Sequence, residues 1–305
     1  MPLDLDDPSR SAGSADSHAR VEVETHSGLT YRPLVTPEDA AACFDLQAHV
    51  WGSTFDRVPA SLLRVTTKIG GLAIGAFDDS GALVGFVYGL AGLRDGEPIH
   101  WSHMLGVRED ARGMGVGRHL KEMQRAILAR RGIGRILWTF DPLQARNAHL
   151  NFNRLGVSLV DYVENMYGIT SSPLHLGLAT DRLIVMLPTT GVVGERPTWN
   201  GRVAGSGSVP VLTPFPRAGD IQVDLDDTAV PHALIEIPAD MHQVITTTPD
   251  LAGTWRLATR ANFQRALRRG YQVTGLHRDL TTNRAFFTLV ASSSADSNRD
   301  AHDRP

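Results

Sequence analysis

Apolar residues that alternate with polar ones, or that stand between turn residues, predict the strands of this chain. A turn at Ser27–Gly28 makes the first of them a strand pair or a bent strand. Six further strands are predicted at "GLAIGAFD", "ALVGFVYGLA", "IHWSHMLGV", "RILWTF", "VSLVDYV" and "RLIVML". The turn Asp79–Ser80–Gly81 indicates that the first two of these six form a hairpin.

A helical period of apolar residues predicts three helices among these strands. The first begins at Pro37, with Thr36 as its N-cap and Asp39 at the acid position of a capping box. The second ends near Arg131, and its buried stripe comprises Val116, Leu120, Met123 and Ile127. The third opens at Asp141–Pro142, and its apolar face comprises Ala148, Phe152 and Leu155.

After a stretch rich in Gly, Pro, Ser and Thr, the pattern resumes as strand, helix, strand, strand. The helix begins at Thr248–Pro249 and ends at Gly270. Its apolar stripe comprises Leu251, Trp255, Phe263 and Ala266, and serves either an internal core or a partner protein. The chain therefore divides into a disordered tail (1–19), a first domain (20–188), a linker (189–225), an α+β block (226–291) and a second disordered tail (292–305).

Composition narrows the class of protein. The 305 residues carry a net charge of -3, which argues against a nucleic acid or an anionic membrane as partner. The single cysteine, Cys43, excludes an intrachain disulfide, fits a reducing compartment and is expected in the core. No apolar run approaches the roughly 20 residues of a membrane span, and the N-terminus lacks a signal-peptide pattern, so a cytoplasmic location is expected.

The stretch "ARGMGVGRHLK", residues 111–121, carries the chemistry. It joins a predicted strand to a predicted helix, where backbone N–H groups and the helix dipole favour an anion. Glycines at 113, 115 and 117 let the main chain approach a ligand closely, and Arg112 adds a positive charge. The stretch is therefore interpreted as a pyrophosphate cradle; the alternative is a tight turn. It lacks the Gly-Lys-Ser/Thr ending of a Walker A loop and the spacing of a dinucleotide fingerprint.

The pattern R-x-x-G-x-G, at Arg112, Gly115 and Gly117, resembles that of the GNAT superfamily of CoA-dependent N-acyltransferases. The resemblance extends over residues 20–188 and includes the strand "MLGV", the helix after the motif, "RILWTF" and "RNAHLNFNRLG". It implies an α/β fold with a mixed, mostly antiparallel sheet flanked by helices, followed here by the smaller α+β block. The segments "YVENMYG", "GLATDRLIVM" and "WRLATR…GYQV" are similar to a longer bacterial group of that superfamily, some members of which are thought to acylate amino acids, including with succinyl-CoA.

The resemblance implies where acetyl-CoA or another acyl-CoA binds as cosubstrate. The pyrophosphate lies on the amides of Gly113, Met114, Gly115, Val116, Gly117 and Arg118. The pantetheine runs beside the backbone of Leu105 and Val107, where strands of this fold part, and Asn147 stands near the CoA arm. Arg118 and Lys121 belong to a basic run that is usually a solvated face, and they are candidates for the 3′-phosphate of CoA.

The candidate general base is His103, because an imidazole that titrates near neutrality suits amine deprotonation. Serotonin acetyltransferase, a member of the superfamily, is similar in having a histidine just before its corresponding strand. The alternative is a core histidine bonded to a carbonyl. His100 and His103 are expected on opposite faces of a strand, and no metal site is expected.

Many members of the superfamily have a tyrosine as general acid near the end of the fourth helix, four residues before the glycine, and this chain has Phe152 at that place. Tyr162 or Tyr167 is the substitute, with Tyr167 as the candidate, or the thiolate leaves unassisted. Asp141 is either a contact for a substrate ammonium or, with more weight, a helix N-cap. Arg256 and Arg260 are either a carboxylate site or surface charges.

These features predict an acyl-CoA-dependent N-acyltransferase that transfers an acetyl or succinyl group to a small amine, with an amino acid as one candidate. The alternative is an acyl-CoA-binding regulator without catalysis, which the absent tyrosine motivates. No nucleic acid, membrane or metal is expected, and a homodimer is left open.

Overall fold

The structure of the chain is a computed structural model that describes residues 23–168, 177–191 and 209–292. Within these ranges the chain forms an eight-stranded sheet, a four-stranded sheet and six α-helices. The predicted tail 1–19, nearly all of the predicted tail 292–305 and residues 192–208 of the predicted linker lie outside the described residues.

The large sheet has the strand order β1-β2-β3-β4-β5-β6-β8-β7. Its neighbouring strands run antiparallel, except β5 and β6, which are parallel. This is the mixed, mostly antiparallel sheet that the sequence predicts. The strands are β1 Glu24–His26, β2 Leu29–Pro33, β3 Leu72–Phe77, β4 Leu83–Arg94, β5 Glu97–Val107, β6 Arg135–Phe140, β7 Ser158–Val163 and β8 Arg182–Pro188.

Helices cover both faces of this sheet. Helices α1 and α2 pack on one face and α3 packs on the other, so the apolar residues form two separate clusters. A short helix, α4, continues into π-helical turns that end at Gly156. The segments are α1 Pro37–Trp51, α2 Ala60–Lys68, α3 Val116–Arg130, α4 Ala145–Ala148 and the π-helical turns His149–Leu155.

The structure confirms the sequence predictions for helices α1 and α3. Thr36 and Asp39 form the predicted capping box at the start of α1. The four residues of the predicted stripe of α3, from Val116 to Ile127, are all buried. Cys43 lies in the core, where burial raises the pKa of its thiol to about 12 and leaves it inert.

Two features differ from the pattern. Helix α2 was not predicted. Its start has no side-chain cap, and Leu62 and Val65 are exposed while Leu63 is buried. The third predicted helix begins at Ala145, not at Asp141. Asp141 instead accepts a hydrogen bond from the backbone N–H of Leu143 in a tight turn, so its assignment as helix N-cap is wrong.

The C-terminal sheet has the order β11-β12-β10-β9, with β9 parallel to β10 and the other pairs antiparallel. Helix α6 begins at Pro249 as predicted, and Trp255, Phe263 and Ala266 of its stripe are buried, but Leu251 is exposed. The elements are β9 Val211–Leu212, β10 His232–Pro238, α5 Met241–Thr247, α6 Pro249–Arg268, β11 Tyr271–Asp279 and β12 Arg284–Ala291.

The two sheets share one hydrophobic core. The ring of Phe152, in the π-helical turns, meets Phe287 of β12 edge to face at a centroid distance of 5.9 Å. Tyr162 of β7 stacks on Phe263 of α6 at 5.6 Å. The side-chain amide of Asn153 bonds both the N–H and the carbonyl of Leu276 in β11. The stripe of α6 therefore serves an internal core.

Candidate functional site

Strands β5 and β6 separate in the middle of the large sheet. Within residues 23–168 they are paired over Ile99–Trp101 of β5, and beyond Trp101 β5 pairs with β4 while β6 pairs with β8. A β-bulge makes His103 the extra residue of β5, because Met104 lies opposite Tyr88 and Ser102 lies opposite Gly89. We call the unpaired stretch between β5 and β6 the split, with its apex at Ser102 and its wide end at Val107, where β5 ends.

A glycine loop lies at the wide end of this split. Gly113 and Gly115 have φ of 85° and 82°, a conformation that favours glycine, and a Cβ at either would meet nothing within 4 Å. Gly115 is the N-cap of α3, so the first N–H groups of that helix lack partners inside the helix. Arg112 donates from Nε to the carbonyl of Val107 at 3.2 Å. The loop offers an open backbone surface with an anion-binding character.

The other residues assigned to CoA lie on β5, on the loop, on α3 and on α4. Leu105 and Val107 continue β5 past its pairing with β6, and a Cβ at Gly117 would lie 3.6 Å from Leu105. Asn147, on α4, is exposed. Met114 is 47% exposed, and Arg118 bonds Glu122 on the surface of α3.

His103 lies on the α1–α2 face of the sheet. Its ring meets that of Tyr88 edge to face at 6.1 Å, and Tyr88 belongs to the apolar cluster of that face. The residue is exposed to solvent, while the protein around its ring desolvates the imidazole and lowers the pKa of His103 below its ordinary 6.5. The ring is therefore neutral at pH 7 and able to accept a proton.

The α3 face of the same strand has a different character. His100 is buried there and bonds Gln124 of α3, and burial lowers its pKa to about 3. Lys121, expected on a solvated face, is 3% exposed and donates to Ser102 at 2.7 Å. A second stripe on α3 faces the sheet, and it comprises Gly117, Lys121, Gln124 and Leu128. This helical spacing is the sequence signal that indicates a buried position for Lys121.

The two candidate tyrosines have different environments. Tyr162 is buried, donates to Asp181 at 2.6 Å, and has a pKa raised by burial and by that carboxylate. Tyr167 is 47% exposed, and its hydroxyl lies 3.2 Å from that of Thr139 on β6. Thr139 and Tyr167 belong to the α1–α2 face, because strand residues alternate and Trp138 packs on α3.

Phe152 is fully buried. Because phenylalanine has no hydroxyl, the chain has no proton donor at the position where many members of the superfamily have tyrosine. Its ring lies between Phe140 of β6, at 6.2 Å, and Phe287 of the C-terminal sheet. A hydroxyl there would enter an apolar cluster, which accounts for phenylalanine.

Buried ion pairs join the two parts of the chain. Arg256 of α6 forms two hydrogen bonds with Asp141, at 2.9 and 2.6 Å, and Arg260 forms two with Asp181. Arg182 lies 3.7 Å from Asp141 and stacks over Tyr167. Arg256 and Arg260 are each matched by a carboxylate of the first domain, so these arginines are interface residues, and Asp141 is not a contact for a substrate ammonium.

Among the described residues there is no group of three or more histidine, cysteine, aspartate or glutamate side chains placed to bind a metal ion. None of the helices seen in residues 23–168, 177–191 and 209–292 has the length and apolar character needed to cross a bilayer.

The split sheet, the glycine loop and the helix behind it form an α/β arrangement with an open backbone surface at a helix N-terminus. Residues 41–156 match the family model described as the acetyltransferase (GNAT) family. This chain thus contains a GNAT acetyltransferase domain at residues 41–156, followed by an additional C-terminal region.

Solved structures of similar fold are distant in sequence. A structure of the NatC complex bound to Gag peptide and CoA is 16% identical, covering 53% of this chain and 99% of that chain, with a TM-score of 0.44. The ribosomal-protein-S18-alanine N-acetyltransferase from Escherichia coli is 18% identical, covering 56% and 99%, at 0.42. Nourseothricin acetyltransferase is 20% identical, covering 54% and 100%, at 0.40. No curated protein matches the chain.

Proposed function

We propose that this protein is an acyl-CoA-dependent N-acyltransferase that transfers an acetyl or succinyl group to a small amine. The observation that carries the proposal is the split between β5 and β6 with the open glycine loop at its wide end. The family match supports the class of reaction, and the donor and acceptor rest on the sequence resemblance.

The residues present fit an acyl-CoA. The backbone from Gly113 to Arg118 would hold the pyrophosphate, because Cβ atoms at Gly113 and Gly115 are absent and the helix dipole of α3 favours an anion. The edge of β5 at Leu105 and Val107 would bond the pantetheine, and the exposed side chain of Asn147 would contact the CoA arm. The thioester supplies an activated acyl group.

His103 acts as the general base in this proposal. It removes a proton from the acceptor ammonium, because only a neutral amine has the lone pair needed for attack on the acyl carbon. Its position at the bulge of β5 directs the ring to the α1–α2 face, so the acceptor enters from that face. The lowered pKa keeps the ring unprotonated at neutral pH.

Tyr167 is the second catalytic side chain of the proposal. Its exposed hydroxyl beside Thr139 lies on the same face of the sheet as His103. From there it protonates the leaving thiolate or orients the acceptor amine. Tyr162 is set aside, because its proton is already donated to Asp181.

The second candidate function is a regulator that binds acyl-CoA without turning it over. The buried Phe152 favours it, because the usual proton donor is replaced by a packing residue. The two functions share the glycine loop, so CoA binding alone does not separate them.

Free-thiol release separates the two functions. Acetyl-CoA and succinyl-CoA are each assayed against L- and D-amino acids and simple polyamines, with calorimetry of CoA binding in parallel. Release with one donor and a narrow set of amines supports the enzyme and identifies its substrate class. CoA binding with no thiol release from any pair would replace the enzyme by the regulator. His103→Ala, with binding intact, is the variant that tests the base.

A further inference from the structure

Lys121 lies at the apex of the split between β5 and β6. Its partner Ser102 is the first residue of β5 beyond the pairing with β6, and Trp138 is the first residue of β6 beyond it. The nitrogen of Lys121 contacts both, at 2.7 Å from Ser102 Oγ and 3.8 Å from the centroid of the Trp138 ring. An ammonium group thus stands where the two strands begin to part.

The surroundings of this ammonium group contain no countercharge. Its described partners are a hydroxyl, an aromatic ring and the amide oxygen of Gln124, at 3.5 Å. A buried lysine without a carboxylate costs stability, because its charged form is desolvated. The chain has two lysines, Lys68 and Lys121, among 30 Lys and Arg residues. Arginine stays protonated in proteins whereas lysine can lose its proton, so lysine at this position suits proton transfer.

Lys121 and Phe152 share one face of the sheet. Trp138, below Lys121, and Phe140, beside Phe152, are two residues apart on β6 and point the same way. The indole N–H of Trp138 also bonds Asn151, the neighbour of Phe152. Trp138 and Phe140, the strand residues that contact Lys121 and Phe152, are therefore about 7 Å apart along β6.

We propose that Lys121, through the Ser102 hydroxyl, supplies the proton for the leaving thiolate in place of the tyrosine that Phe152 replaces. The inference rests on the proposed acyltransferase function and assigns its general acid. Tyr167, on the opposite face, then orients the acceptor amine. The distance and direction of the Lys121–Ser102 hydrogen bond, at the apex of the split, carry the argument.

The proton inventory balances. Ser102 gives its hydroxyl proton to sulfur as the bond between the acyl carbon and sulfur breaks and its electron pair passes to sulfur. Lys121 returns a proton to Ser102 Oγ and becomes a neutral amine. His103 takes the first proton from the acceptor ammonium and passes it to water before attack, and it takes the second proton from the attacking nitrogen after attack. Two protons therefore leave the acceptor and one reaches sulfur. Exchange with water restores His103 and Lys121 and releases one net proton.

The charged and titratable groups around Lys121 permit this role. His100 of β5, which also bonds Gln124, is neutral near pH 7, since burial lowers its pKa to about 3. On α3, Gln124 is uncharged, and the cation of Arg131 lies at the far end of the helix. Burial lowers the pKa of Lys121 to about 7, so the group can both hold and release a proton near neutral pH.

The first test is the pH dependence of acyl transfer by Lys121→Met, which keeps the length of the side chain and removes the proton. We expect the wild-type rate to fall on the alkaline side as Lys121 loses its proton. In Lys121→Met that alkaline limb should vanish and the maximal rate should drop about 100-fold, within the usual range for a general acid. Ser102→Ala should behave alike, and Lys68→Met, at the exposed lysine, should match the wild type.

The second test needs no turnover. Bound CoA is titrated by the ultraviolet absorbance of its thiolate, with desulfo-CoA as the control ligand that lacks sulfur. An ammonium at the apex should increase the thiolate fraction of bound CoA about tenfold at a given pH relative to Lys121→Met, because one pKa unit is tenfold in ionisation. CoA affinity itself should change little, since the loop is untouched.

The outcomes distinguish this inference from the function on which it rests. If wild type turns over and Lys121→Met keeps its alkaline limb, the inference is wrong and the function stands. If no amine is acylated, the function is wrong, and an unchanged thiolate titration in Lys121→Met then overturns the inference as well. A lowered thiolate fraction in both Lys121→Met and Ser102→Ala supports it.

Discussion

The glycine loop and the interface with the C-terminal region belong to the same domain, but they differ in how densely side chains fill them. At the loop, side chains are absent and the backbone of Gly113 and Gly115 faces open space. At the interface, aromatic rings around Phe152 and the paired charges of Arg256 and Asp141 fill the space. The backbone is left open at the loop, whereas side chains fill the interface, so the fully buried position of Phe152 serves packing.

The largest effect should come from breaking the buried pair at the interface. Arg256→Met leaves Asp141 buried with its main partner removed, and we expect the free energy of unfolding to fall by about 3–5 kcal/mol. Urea denaturation measures this change. The double variant Asp141→Asn with Arg256→Met should recover most of the loss. A loss below about 1 kcal/mol for the single variant would show that the interface does not depend on the pair.

Phe152→Tyr tests whether the interface can accept the tyrosine that is usual in the superfamily, because the position of Phe152 is fully buried. The added hydroxyl would lie among Phe140 and Phe287 with no partner, so we expect a loss of about 1–3 kcal/mol in stability. The transfer rate should not rise. A rate increase with unchanged stability would mean that this place is open to the cosubstrate.

Acid should weaken the interface through Asp181. Burial raises the pKa of this carboxyl, and hydrogen bonds from Arg260 and Tyr162 lower it by more, so the net pKa is below its ordinary 3.8. The stability that Asp181 contributes is present above pH 3.8 and is lost as pH falls through the folded-state value. Chemical denaturation of wild type and Asp181→Asn across this acidic range should show a smaller pH dependence in the variant. Equal pH dependence in both would exclude this contribution.

The smallest effect on stability should be at the loop. Gly115→Ala puts a Cβ on a residue with φ of 82°, which costs about 1 kcal/mol, although no atom obstructs it. Its main consequence should be weaker CoA binding in calorimetry, since the backbone shifts away from the anion. Gly134→Ala is the control, because Gly134 is also unobstructed but has no positive φ. Unchanged CoA affinity in Gly115→Ala would remove the loop from the binding site.

Local signals made most elements predictable, and long-range contacts explain what was not. The capping box at Thr36 and the buried stripe of α3 depend on residues that are close together in the sequence, so the local pattern predicts them. The roles of Lys121, Arg256 and Asp141 depend on partners 19 and 115 residues away, so charge alone suggested a solvated face or a substrate contact. Comparison with the superfamily identifies Phe152 as a departure from the usual tyrosine. The physical reason for phenylalanine is its packing against Phe287 of the C-terminal sheet, which the local sequence does not indicate.

The most direct measurement is the pH dependence of free-thiol release from acyl-CoA by wild type and His103→Ala, with the acceptor that the amine panel identifies. We expect kcat/KM for the wild type to fall on the acidic side through an apparent pKa below 6.5, as His103 gains a proton. In His103→Ala that limb should disappear and the rate should drop about 100-fold with CoA binding intact. A full rate with the same acidic limb in His103→Ala would contradict His103 as the base, and no thiol release from any pair of donor and amine would contradict the assignment of the split sheet as an acyl-transfer site.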